Sequence, residues 1–292
     1  MRILGDKLVN RRVRVVISSP SSSNYHEVVR DDLEITEHRV VFKLNFKDSK
    51  EPNTGEIKIY NLAENARSLI QKKGSKVTLE AGYKDAGTSR IFVGDVRIGD
   101  NGYDGKAAEW ISTLKLGDGV RAYQNARVNK SFGPKTTAGD VLQYLGEASG
   151  LQLGNVPKKI LDLTVTYDNG YSVSGKWSDA MNQFCNSVGY KWSIQNQTLQ
   201  VLLPGQAASE GLIPEISSES GLVGIPEMGT PEKKGKPALL KFKALLRPLQ
   251  IGGYVRIKSR AYEGDVLIKT VGYDGDTAGG NWFVNVEGVL KQ

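Results

Sequence analysis

Apolar and polar residues alternate along most of the chain, with a period of two. "RRVRVVISS" from residue 11 and "LEITEHRVVFKLNF" from residue 33 are rich in β-branched side chains at this spacing, which gives a strand one apolar face. The Ser-rich run "SSPSSSNYHE" around Pro20 predicts an exposed connection between them. Further on, "GEIKIYNL" alternates around Ile57 and Ile59. The period then changes, and Leu62, Ala66, Leu69 and Ile70 recur at helical spacing in "AENARSLIQKK", with Gly74 as terminator. Alternation resumes with Val77, Leu79, Ala81 and Tyr83 on one face and Thr78 and Glu80 on the other. In "AAEWISTLKLG", Trp110, Ser112, Leu114 and Leu116 oppose Ile111 and Thr113. Residues 1–127 therefore read as an antiparallel β domain with one short helix.

Residues 128–204 have a different period. "TTAGDVLQYLGEASGL" offers Thr136 or Thr137 as N-cap, Val141, Leu142, Leu145 and Ala148 as an apolar stripe, and Gly150 as terminator. "KWSDAMNQFCNSVGYKW" repeats the plan, with Ser178 as cap, then Ala180, Met181, Phe184, Ser187 and Gly189. Either a duplication or two helices obeying the same packing rules accounts for this. A hairpin around Asn196 completes an α+β domain. Residues 205–237, with broken signals such as "SGLVGIP" and "PEKKGKP", read as a linker or arm. Strands return over 238–292, where Leu240, Phe242, Ala244 and Leu246 alternate with Lys241, Lys243 and Leu245. The fold class expected is mainly β, α+β overall: two similar antiparallel β-barrel or tube-like domains with an α+β domain inserted between them.

The two β regions share letters. "GDVRIGDNGYDG" (94–105) is echoed by "GDVLIKTVGYDG" (264–275). Gly94, Asp95, Val96, Gly102, Tyr103, Asp104 and Gly105 thus match Gly264, Asp265, Val266, Gly272, Tyr273, Asp274 and Gly275. A Trp-led strand follows each, at Trp110 and Trp282, and Val77 and Leu79 correspond to Val255 and Ile257 in the strand before. The fourteen matched residues together with Trp110 and Trp282 are the candidate structural repeat. A ring of three such chains presents six similar β units, which suits an adaptor between a three-fold and a six-fold partner.

Composition narrows the chemistry. The 292 residues carry a net charge of +7, 33 Gly and one Cys. Lone Cys185 excludes a disulfide framework and a thiolate zinc cluster, and its helical setting reads as buried and apolar. His26 and His38 lie in no ligand spacing. The start lacks the apolar core of a signal peptide and no eighteen apolar residues run together, so a soluble, unprocessed chain without a membrane anchor is expected. Asp31, Asp32, Glu34 and Glu109 have no paired histidine, nucleophile elbow or phosphate-gripping loop. No catalytic, cofactor-binding or metal-binding residue is assigned, and no enzymatic activity is expected. Trp110, Trp177, Trp192 and Trp282 all fall in core-like patterns rather than stacking platforms.

"GEIKIYNLAENARSLIQKKGSKVTLEAGY", followed by "IFVGDV", resembles the amino-terminal barrel of the baseplate hub proteins of contractile-tailed bacteriophages. The later order of insert, linker and second barrel is similar across nearly the whole chain. The resemblance implies a virion protein of the tail baseplate, assembled in the bacterial host cytoplasm. It further implies a homotrimer between the hexameric tail tube, or a distal tube adaptor, and the trimeric central spike, beside other baseplate proteins. DNA or tape-measure protein would be only passing content of its lumen. Related hubs serve other contractile injection systems. Strands within 33–62 and 238–290 would build the channel wall, with Lys241, Lys243, Arg256, Lys258 and Lys269 facing either the lumen or outward. A carbohydrate-binding or cell-wall-active, hydrolase-associated tail protein is the alternative.

Overall fold

Strands with one apolar face bury it by lying edge to edge and curling around a shared core, and that is what the alternating runs do. The structure, a computed structural model, describes residues 10–18, 32–71, 75–154, 165–203, 207–208, 213–229 and 238–291. The Ser-rich connection after Ser18, His26, Asp31, Gly74 and "PEKKGKP" lie outside them.

The strands before the insert are β1 (Arg11–Ser18), β2 (Leu33–Ile35), β3 (Val40–Lys47), β4 (Thr54–Tyr60), β5 (Lys76–Tyr83), β6 (Gly87–Asp104) and β7 (Glu109–Gly117), with helix α1 (Glu64–Ile70) between β4 and β5. The insert contains α2 (Val120–Asn125), β8 (Arg127–Phe132), β9 (Thr136–Thr137), α3 (Ala138–Ser149), β10 (Gln152–Leu153), β11 (Thr166–Tyr167), β12 (Tyr171–Lys176), α4 (Trp177–Val188), β13 (Lys191–Gln195) and β14 (Thr198–Leu202). After it come β15 (Glu215–Ser217), β16 (Leu222–Met228), β17 (Leu239–Leu245), β18 (Tyr254–Lys258), β19 (Glu263–Asp276) and β20 (Trp282–Leu290).

Two compact units result. One comprises residues 1–48, 54–117 and 209–292, the other residues 49–53 and 118–208. The segments read from sequence as separate β domains thus contribute to one thirteen-stranded sheet, ordered β16-β17-β20-β19-β3-β4-β7-β6-β5-β1-β2, with β18 on β19 and β15 on β18. The insert begins at Asp118 rather than near residue 127. Part of the expected linker is strand: "SGLVGIP" supplies most of β16, which pairs with β17. The fold is mainly β, built on a large antiparallel sheet, with an inserted α+β unit.

The sheet's core follows the alternation. Phe42, Leu44 and Phe46 of β3 are buried while Lys43, Asn45 and Lys47 are exposed. Phe42 meets Trp282 edge-on at 5.5 Å, and Phe46 meets Phe92 and Tyr273 at 6.0 and 5.9 Å, arrangements that suit the ring quadrupoles. The Tyr273 hydroxyl is satisfied inside this core, accepting from the Leu249 amide at 2.9 Å.

In the inserted unit, α3 and α4 pack their apolar stripes around Trp177, which is fully buried and donates from its indole nitrogen to the Leu145 carbonyl at 2.6 Å. Thr137 is the N-cap of α3 and shares a reciprocal capping box with Asp140, and Gly150 and Gly189 end α3 and α4 in the left-handed region. Ser178 does not cap α4. The helix begins one residue earlier at Trp177, and Lys176 occupies the cap position without a side-chain bond.

The β13–β14 hairpin turns through Asn196 and Gln197 at φ of 53° and 62°. Buried Asp118 holds this turn, accepting from the Asn196 amide at 2.6 Å and the Gln197 amide at 2.7 Å. Asn53 donates to the Asp118 carboxylate at 3.2 Å and to the Ile194 carbonyl at 2.8 Å. Replacing Asp118 with Ala strands the buried Gln197 amide and the half-buried Asn196 amide and is expected to lower unfolding free energy by about 2–3 kcal/mol. Denaturant titration measures the loss, and amide exchange should quicken first at Asn196 and Gln197.

Candidate functional site

The candidate site is the sheet: its repeated strand sets, the joint between them and its polar face. The strands β3-β4-β7-β6-β5 and β16-β17-β20-β19-β18 follow one order. Each long middle strand, β6 or β19, carries a bulge on its way into a hairpin. In β6 the register shifts between Val96 and Ile98, in β19 between Ile268 and Thr270. With these bulges superposed, Arg97 coincides with Lys269 and Trp110, opposite Tyr103, coincides with Trp282, opposite Gly275. In the preceding strands Val77 lies opposite Gly94 and Val255 opposite Val266, as the matching of Val77 with Val255 expects.

The repeated letters, by contrast, are two residues out of step with this geometry. Asp104 accepts from the Lys106 amide at 2.9 Å to cap its turn, and the residue doing this in the second hairpin is Asp276, which accepts from the Ala278 amide at 2.9 Å. Asp274 instead accepts from the side chain of Asn281 at 2.9 Å. Gly94, Asp95 and Val96 fall where Val266, Leu267 and Ile268 do. Because side chains alternate with a period of two, a slip of two leaves every residue on the face it would otherwise occupy.

Matched letters therefore have different neighbours. Tyr273 is buried, whereas Tyr103 is 56% exposed and leans on Trp110 at 5.3 Å. Gly275 lies flat under Phe42, where an added Cβ would come within 2.2 Å of the ring, while Gly102 and Gly105 face open space. Gly272 has ordinary clearance. Asp95 is buried. Asp265 is bound by Arg256 at 2.7 Å, and that hydrogen bond holds its carboxyl below the usual range. Gly264 lies opposite Ile257, and Val266 is core. Trp177, Trp192 and Trp282 are buried, but Trp110 is 38% exposed, against the sequence expectation. Its ring is covered on one side by the Arg67 guanidinium of α1 at 4.0 Å, in place of an apolar layer.

The joint unites the two strand sets. Thr270 to Asp276 of β19 pair antiparallel with Lys47 to Val41 of β3. Ion pairs fasten both ends: Lys269 with Asp48 at 2.6 Å and Arg39 with Asp276 at 2.9 Å. Partial burial pushes the Asp276 carboxyl up, but hydrogen bonds from Arg39 and the Ala278 amide outweigh it, so it lies below the ordinary range. Sequence reasoning missed Asp276, Arg39 and Asp48, since nothing local marks charges that meet across distant strands.

One face of the sheet is polar. Registers across the joint place Lys43, Lys47, Lys58, Lys115, Lys241 and Lys243 on it, among Glu56, Asp274 and Glu287. Lys241 pairs with Glu287 at 2.8 Å and the Lys243 ammonium lies over Phe283 at 4.0 Å. Arg256 and Lys258 occupy the exposed face of β18, and Lys269 turns to Asp48 at the bulge. Cys185 is buried, which pushes its thiol up to about 12 and keeps it protonated at neutral pH.

Gly275→Ala is expected to destabilise the sheet by about 1–3 kcal/mol through overpacking against Phe42, whereas Gly105→Ala should change stability by less than about 0.5 kcal/mol. Thermal unfolding of the pair checks this. Because its folded pKa is depressed, Asp276 stabilises above the unfolded carboxylate pKa, and this is lost as pH falls through the folded value. Asp276→Asn should cost about 0.5–1 kcal/mol at neutral pH after screening, with wild type and variant converging in denaturant titrations as pH falls through the folded value of Asp276.

No protein-family model matches the chain, and no curated protein sequence does. Solved structures do. A 43 kDa tail protein of prophage MuSo2 from Shewanella oneidensis superposes with a TM-score of 0.66 at 7% identity, over 96% of this chain and 97% of that one. A tail protein from Neisseria meningitidis MC58 gives 0.66 at 8% identity, over 97% of both chains. The Escherichia coli c3393 protein, a component of the type VI secretion system, gives 0.54 at 10% identity over 88% of this chain and 75% of that one. At these identities the fold is what is shared: from end to end, this chain has the fold of phage tail proteins.

Proposed function

We propose that the protein is a structural hub of a contractile phage tail baseplate or a related injection device, without enzymatic activity. Three copies form a ring whose six similar strand sets meet a hexameric tube on one side and a trimeric spike on the other. The observation that carries this reading is the repeated strand order within one sheet, which gives a single chain two like faces to present. The shared fold with phage tail proteins supports it, as does the polar face with its six lysines, whose chemistry suits a wet channel that nucleic acid or tape-measure protein passes through without sequence-specific contact. Other baseplate proteins would hold the ring in the virion.

The exposed Tyr103 and Trp110 favour a carbohydrate-binding module instead, but Arg67 already occupies one ring face of Trp110. Native mass measurement on the full chain, alone and with co-expressed tube and spike proteins, tests the reading. Three copies are expected. A monomer under all these conditions, or six copies at this level, overturns it, and clearing of a cell-wall suspension by the purified chain would replace it with the hydrolytic alternative.

A further inference from the structure

The geometry points to a cleft at the start of β1 as a docking site for an acidic peptide segment of another protein. The site goes beyond the hub reading and does not rest on it.

Three stretches distant in sequence line the cleft, which has a volume of about 450 Å³: the first residues of β1, the turn from β2 to β3 and the β19–β20 hairpin. Arg11, Arg12 and Arg39 bring three guanidiniums to it, with Glu37 as the acidic member of the lining. Two of the guanidiniums are held before any ligand arrives. Arg11 donates to the Asp276 carbonyl at 2.7 Å and the Gly280 carbonyl at 3.0 Å, and lies over the Trp282 ring at 5.5 Å. Arg39 grips the Asp276 carboxylate through two nitrogens, at 3.3 and 2.9 Å, and lies over Tyr60 at 4.6 Å. Such anchoring removes in advance the rotamer freedom that binding would otherwise cost. The Thr277 hydroxyl accepts from the Val40 amide at 2.9 Å, which leaves its own proton to give.

Arg12 differs from its neighbours. On the same strand Arg14 meets Glu34 at 2.7 Å and Glu80 at 3.4 Å. Arg12 is exposed, and among the described residues its guanidinium has no acceptor. A fork of donors left open beside two fixed arginines suits a carboxylate.

Charge and backbone choose the occupant. Three guanidiniums less the carboxylates of Glu37 and Asp276 leave one positive charge, which balances a carboxylate but gives little hold on a phosphate chain. The main chain adds a second preference. β1 pairs with β5 over its whole length, but with β2 only from Val15 to Ile17. The Asn10 carbonyl accepts from the Lys84 amide, just past β5, and bonding sides alternate along a strand. Val13 therefore turns its amide and carbonyl away from β5, toward the cleft that it lines. An extended peptide uses both groups, whereas a free anion or a phosphodiester leaves the carbonyl idle.

A fluorescein-labelled peptide alternating Asp with Thr, and its counterpart with Asn for Asp, are titrated with the full-length chain and read by fluorescence anisotropy. The acidic peptide should bind at least about tenfold more tightly than the neutral one. Arg12→Ala should weaken it about fivefold or more and leave thermal unfolding unchanged, because this side chain pairs with nothing among the described residues. Lys258→Ala, on the exposed face of β18, should bind like wild type. Amide exchange at Val13 should slow in the complex. Equal binding of the two peptides, full binding by Arg12→Ala, unchanged exchange at Val13 or no binding of the acidic peptide overturns the site. Displacement of the acidic peptide by inorganic phosphate or a single-stranded oligonucleotide at matched charge overturns the peptide assignment in favour of a phosphate site. A chain that binds the acidic peptide in this way but has the wrong copy number upholds the site while the ring reading falls.

Discussion

A strand edge is a row of amides and carbonyls that must find partners or water, and the architecture answers to that constraint at the joint of β19 with β3. Without this joint the strand sets before and after the insert would be two smaller sheets, each with one more bare edge. With it, Phe42, Trp282, Phe46 and Tyr273 share one core although the residues come from opposite ends of the chain. Ion pairs at both ends of the joint fix its register, and a register slip of one would turn the apolar face of β3 into solvent.

Local elements were legible in the sequence because burial imposes a period that letters display. β3, β5 and β17 follow their alternation, and the Thr137 cap and Gly150 stop of α3 follow from side-chain chemistry within one turn. What stayed hidden was whatever depends on partners far along the chain. The single sheet made from two β regions was one such feature. Asp118 meeting Asn53 and the β13–β14 turn was another, since its partners lie 65 to 79 residues away. Trp110 was misjudged because alternation cannot tell a core neighbour from an arginine on a helix.

The repeated letters taught a finer lesson. "GYDG" pointed to two equivalent hairpins, and the strands do share order and bulge, yet the letters sit two places out of step with the geometry. A Tyr at matched letters is buried in one set and exposed in the other. Sequence similarity within a β protein locates faces, whose period is two, more securely than it locates positions.

The joint also sets a schedule for biogenesis. β3 leaves the ribosome more than two hundred residues before β19, its partner, at a synthesis rate of about 5–20 residues per second. For roughly 10–40 seconds a Phe-bearing edge waits unzipped while the insert is made and folds in between. Because the partner strands are joined by so long a stretch of chain, closure of the sheet is a late and slow event, and a nascent chain stalled or truncated before Glu263 would present to chaperones and proteases the surface that the finished molecule hides.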